Sequence, residues 1–182
     1  MRSTVIPHWI RGRASSNRAL AFFFLLLIAQ GGHIGEHIVQ LVQLYVLDVG
    51  QAHAHGIVGQ LDIEWVHYIW NSLVFTSTLL LLWKFRSNTW LWVAFVFAVW
   101  HQFEHTYILS MYLQTGMSGS PGLLSKGGLI AGGLPIVRPV LHTLYNVFEM
   151  IPLIIGFFVE VRRANVSEPA SAVRVLETKP AL

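Results

Sequence analysis

HQFEH, residues 101–105, is a polar island in an apolar stretch, with FVFAVW before it and TYILSMYL after it. Sixty-eight residues earlier HIGEH, residues 33–37, lies in an apolar stretch of its own. At about 100° per residue, the first His, the Glu and the second His of each H-x-x-E-H fall on a single helical face. Two such faces set opposite one another would make a metal cage, so the motif predicts two helices with facing polar sides.

Around these islands the chain is too apolar for a water-exposed domain. Of 182 residues 54% are hydrophobic and only 12% charged, which predicts an all-α membrane protein. There is no cysteine, so disulfides, thiolate metal sites, iron–sulfur clusters and cysteine nucleophiles are excluded, and nine histidines are the informative surplus.

Hydropathy divides the chain into four spans of about 19–47, 61–83, 88–113 and 136–161, giving a four-transmembrane-helix bundle over 19–162. Residues 1–18 read as a cytoplasmic tail and 163–182 as a disordered cytoplasmic tail. The first apolar run is long enough to be an uncleaved span rather than a signal peptide. With both termini cytoplasmic, ten basic residues (Arg2, Arg11, Arg13, Arg18, Lys84, Arg86, Arg162, Arg163, Arg174 and Lys179) lie inside, against Lys126 and Arg138 outside. That asymmetry obeys the positive-inside rule and predicts a plasma (inner) membrane protein. The charge is thereby a topology signal, and nucleic acid is not a partner.

Depth follows from a rise of ~1.5 Å per residue across a core about 30 Å thick. His33, Glu36, His37, His67, His101, Glu104, His105 and His142 then fall in one layer, roughly 19 to 27 Å from the inner boundary. HYIWN at 67–71 matches HTLYN at 142–146, so H-x-x-aromatic-N repeats on the even helices as H-x-x-E-H does on the odd ones. The chain therefore reads as a tandem duplication of a helical hairpin, its pseudo-twofold axis along the membrane normal.

An acidic side chain in mid-span costs on the order of 2.5–3.5 kcal/mol on insertion scales, so two of them among six histidines need a reason. Imidazole and carboxylate suit Fe, Zn, Mn or Cu(II), and the eight residues are the expected ligands of two divalent ions, Fe first, then Cu or Zn. Glu64 and Glu149 face the same sides as His67 and His142 and are candidates for bridging or proton relay. Asn71, Asn146, Arg138 and the loop residues His53 and His55 are expected around the ligands; Asn packing, an Arg reaching the interface and a solvated loop are the plainer explanations of these residues. A single intramembrane His more often joins two helices than binds a metal; the i,i+4 pairs favour joint ligation. Haem ranks below a non-haem pair, because two histidines one turn apart on one helix crowd a single macrocycle. H-x-x-E-H also marks a class of soluble zinc proteases, but its double occurrence within apolar helices sets that reading aside.

Histidine on apolar helices resembles the membrane desaturases and hydroxylases with histidine-box di-metal sites. The resemblance implies non-haem metals oxidising a lipophilic substrate with O2. No H-x-x-H-H box occurs here, so no residue is carried over. The expected function is an O2-dependent oxidoreductase acting on a lipid or lipophilic molecule and supplied by a redox partner. The alternatives are a metal- or haem-binding subunit of a larger membrane complex and a divalent-metal transport or storage protein. The nearly apolar inner halves AFFFLLLIA, TLLLLWKF and IIGFFVEV argue against a transport path.

Overall fold

Four long helices follow the four apolar runs: α1 His8–Tyr45, α2 Ile63–Lys84, α3 Thr89–Thr115 and α4 Arg138–Glu177. They come from a computed structural model that describes the backbone of residues 8–51 and 53–177 and the side chains of 16–51 and 53–166. The expected inner-flank residues Arg2 and Lys179 lie outside the described residues.

Local chemistry sets the helix ends. The Asp62 carboxylate accepts from the backbone N–H of Glu64 and Trp65, both at 3.1 Å, and starts α2. Asn88 starts α3 in the same way, accepting from Trp90 N–H at 3.1 Å and Leu91 N–H at 3.3 Å. Its amide then donates to Gly156 O and Glu160 Oε1, both at 2.9 Å, tying α3 to α4. Gly116, in the left-handed region at φ 67°, ends α3.

The outer helices run further than the expected spans. The polar flank 8–18 is helical as the first part of α1, and 163–177, expected to be disordered, is helical as the last part of α4. Charge ends an apolar span but does not interrupt the backbone hydrogen-bond ladder, and these flanks are rich in tolerable helix formers. By length and composition three helices are apolar enough to cross a membrane, over Ser16–Tyr45, Ile63–Lys84 and Arg138–Val166. α3 matches them in length, but its polar island lowers its hydropathy.

α1 packs on α2 and α4, and α3 packs on the same two, closing a four-sided arrangement. A 3-4 spaced seam faces inward on each helix, the spacing that keeps one stripe against its neighbours. On α1 it is Phe23, Leu26, Gln30, His33, His37 and Gln40; on α2 it is Glu64, His67, Asn71, Val74, Thr78 and Leu81. On α3 it is Leu91, Ala94, Ala98, His101, His105 and Ile108, and on α4 Arg138, His142, Asn146, Glu149 and Leu153.

The seams change character along their length. At the end where α2 meets α3, Phe23, Leu26, Val74, Leu81, Leu82, Phe85, Leu91, Ala94 and Leu153 form an apolar core. Toward the other end the interior is polar, and along the length of the bundle the surface carries Phe24, Leu25, Ile69, Val96, Phe103 and Phe148, each at least half exposed. The long connections cover this polar end: 46–62, with a 3₁₀ turn at Val58–Gln60, and the glycine-rich 116–137. The second is folded on itself by backbone bonds such as Lys126 N–H to Ile136 O at 2.8 Å and Leu134 N–H to Leu124 O at 2.7 Å.

Candidate metal centre

Six histidines meet inside the polar end. His33 and His37 of α1 with His67 of α2 form one group; His101 and His105 of α3 with His142 of α4 form the other. In each group one ligating atom per residue lies within 4.8 Å of the others, and all six side chains are buried. The groups also face each other. His33 stacks parallel to His101 at 5.9 Å between ring centroids, His67 stacks on His105 at 5.9 Å, and His37 lies 6.0 Å from His142.

Hydrogen bonds fix which nitrogens are free. His67 Nδ1 lies 2.7 Å from Ile63 O and His142 Nδ1 2.9 Å from Arg138 O. A carbonyl can only accept, so in each neutral ring Nδ1 carries the hydrogen and Nε2 keeps its lone pair. His37 Nδ1 meets Gln40 Oε1 at 2.7 Å, and that amide is oriented by its own donation to His55 O at 3.3 Å. Nine of the twelve ring nitrogens in the cluster are buried without a hydrogen-bond partner. All six Nε2 atoms, one per ring, are among them, and at about 1–3 kcal/mol for each buried unsatisfied group these six would cost on the order of 6–18 kcal/mol, comparable with or above the whole stability of a typical domain. Metal ions, which take several imidazole lone pairs at once, fit this donor set.

The two glutamates of the motif accept hydrogen bonds from the covering loops. Glu36 Oε1 accepts Gly59 N–H at 2.8 Å; Glu104 Oε1 accepts Leu123 N–H at 3.2 Å, and Glu104 Oε2 accepts the Tyr145 hydroxyl at 3.2 Å. Each therefore holds a covering loop down on the cluster. Each also has a glycine pressed against its carboxylate, Gly56 at φ 81° and Gly122 at φ 75°, where a Cβ would collide with it. The reason lies in helix geometry: the Glu stands beside the inward seam, and its carboxylate reaches the loop above.

Glu64 pairs with Arg138, through Oε1 to Nη1 at 2.8 Å and Oε2 to Nη2 at 2.5 Å, and accepts Gly119 N–H at 2.8 Å. It joins α2, the start of α4 and the glycine-rich loop instead of bridging the triads. Glu149 does approach a ring, with Oε2 3.5 Å from His101 Nδ1. Asn71 and Asn146 each donate to the carbonyl of the histidine four residues before, His67 O at 2.9 Å and His142 O at 2.8 Å. His55 lines the cavity described below, whereas His53 is exposed on its loop.

A cavity of about 320 Å³ reaches the cluster from the loop-covered end. Its wall includes His37, His67, His105 and His142, with Gln40, Gln51, Ser118 and Arg138 among the polar groups and Ile63 and Pro139 among the apolar ones. Sequence reasoning missed Gln30, Gln40 and Tyr145 as parts of the site. Gln30 and Gln40 stand three residues before His33 and three after His37, so the helical spacing that selected the histidines would have selected them too. Trp70, the aromatic residue of HYIWN, stacks on His33 at 5.2 Å. No protein-family model, no characterised protein and no solved structure matches the chain.

Proposed function

We propose that this chain is an integral membrane metalloprotein that holds two metal ions in the outer half of the bilayer and reduces O2 there as an oxidoreductase. The observation that carries this reading is the pair of facing histidine triads with nine buried, unpartnered nitrogens. Apolar exposed faces around a polar interior support the membrane setting. The distribution of Lys and Arg supports cytoplasmic termini in a plasma (inner) membrane.

Duplication of a hairpin is supported by matched chemistry. His67 and His142 each face the carbonyl four residues earlier, Asn71 and Asn146 bind those histidines' carbonyls, and Glu36 and Glu104 each hold a loop N–H. Copper replaces iron as the preferred ion. The triads offer imidazole alone, iron pairs in helical bundles are carboxylate-rich, and Cu(II) stands above Fe(II) in affinity for such donors. Zinc would fit the same ligands but carries no redox chemistry.

When bound, the reduced metal pair would supply two electrons to O2. Hydroxylation of one C–H bond takes the other two from the substrate, and the second oxygen atom leaves as water with two protons. An external donor must therefore return two electrons per turnover, which makes a redox partner part of the proposal. The cavity's mixed wall suits a lipophilic substrate that enters with a hydrogen-bonding end toward Gln40, Gln51 and Ser118. Divalent-ion transport is disfavoured because the seams close into an apolar core beyond the cluster.

Elemental analysis of detergent-purified full-length protein, beside its optical spectrum, tests this reading. About two Cu per chain without a Soret band is the expected result, with loss of metal in His101→Ala. Two Fe would keep the redox reading and change the ion; a Soret band, Zn alone or no metal would overturn the proposal.

A further inference from the structure

The matched chemistry of the two halves makes their differences informative. Glu149 stands seven residues after His142; the equivalent place seven residues after His67 is Val74, buried in the apolar core. Gln40 stands three residues after His37; the equivalent place after His105 is Ile108. The difference lies at the ring nitrogens: His37 Nδ1 meets a neutral amide, whereas His101 Nδ1 has a carboxylate at 3.5 Å.

We infer that the triads are unequal metal sites, and that Glu149 makes His101/His105/His142 the tighter of the two. This rests on the proposal that the triads bind metal. A carboxylate on the far nitrogen of a ligating imidazole fixes the ring's tautomer and raises its basicity, an effect that typically changes metal affinity 10–100-fold. Glu149 is near that position, with Oε2 at 3.5 Å from His101 Nδ1 and no hydrogen bond formed, so a small side-chain shift would complete the contact when a metal holds Nε2. It is 1% exposed, Oε1 has no partner, and Gln30 Nε2 donates to Oε2 at 3.3 Å while also holding Asn146 Oδ1 at 2.9 Å. The buried cation of this region, Arg138, is engaged with Glu64. A divalent ion on His101 Nε2 would supply the positive charge that Glu149 lacks.

Two ions bound this closely repel, so stepwise filling of the intact centre does not by itself reveal unequal sites. The decisive comparison isolates each triad. In full-length protein in detergent, Zn²⁺ affinity is measured by competition with a chromophoric chelator in His33→Ala/His37→Ala, which keeps the α3–α4 triad, and in His101→Ala/His105→Ala, which keeps the α1–α2 triad. The first should bind about 10–100-fold tighter. Adding Glu149→Gln should remove that advantage in the first background and change the second by less than about threefold. Equal affinities, or an equal loss in both backgrounds on adding Glu149→Gln, would overturn the inference. If unmodified protein binds no Zn²⁺, the metal-centre reading itself falls.

Should the double variants lose their helical circular dichroism, the unmodified chain gives a second readout. Trp70 stacks on His33 with a 20° interplanar angle, so its emission, isolated as the difference from Trp70→Phe, reports the α1–α2 triad. It should change with the second equivalent of Zn²⁺. A change complete at the first equivalent would overturn the order.

Discussion

A glutamate between two metal-spaced histidines invites reading as a third ligand, yet Glu36 and Glu104 each spend an oxygen on a loop N–H. The difference is about one residue of helical phase: His33 and His37 lie on the inward seam, and Glu36 lies beside it. The glycines that accommodate these carboxylates make the point testable. Gly56→Ala puts a Cβ against the Glu36 carboxylate at φ 81°, and should destabilise by about 1–3 kcal/mol. Gly35→Ala, within the same motif, meets nothing within 4 Å on a helical backbone and should instead stabilise by about 0.5–1 kcal/mol. Thermal unfolding followed by helicity distinguishes them, and equal effects would remove the loop-holding role.

At the scale of helices, the 3-4 seam unites the fold and the site. Each inward stripe is apolar toward one end and polar toward the other, so one packing rule builds both the Phe23/Leu81/Leu91/Leu153 core and the histidine layer. The layer is braced by Glu64 and Arg138, which link α2 to the start of α4 and to Gly119 and Ser120 of the covering loop. Removing one partner of a buried pair leaves an uncompensated charge. Arg138→Met alone should cost about 3–5 kcal/mol, whereas Glu64→Leu with Arg138→Met should cost much less. A double-mutant cycle on unfolding free energy measures the coupling; additive losses would show that the pair does not brace the helices.

For the molecule as a whole, the apolar surface and polar interior require that the two ends of the bundle be chemically distinct places. The absence of native cysteine permits a direct topology test. Met117→Cys, 71% exposed beside the cavity loops, should react with a membrane-impermeant maleimide added outside intact cells. Ser87→Cys, in the α2–α3 turn, should react only after permeabilisation. The reverse pattern would invert the proposed orientation and place the cavity on the cytoplasmic side.

By itself the sequence determined the helices, their apolar lengths and the layer in which the histidines meet, because periodicity and rise per residue are local properties of a backbone ladder. It also showed, through H-x-x-E-H and H-x-x-aromatic-N, that the two hairpins carry matching residues. Only the tertiary structure decided which polar groups serve the histidines and which serve the loops. The partners of Glu36, Glu64, Glu104 and Arg138 lie 18 to 74 residues away along the chain. Where such a side chain finds its partner depends on the rotation of each helix in the bundle and the path of two long connections, and no local period encodes either. The same holds for Glu149, whose approach to His101 joins α4 to α3 and distinguishes two otherwise matching triads.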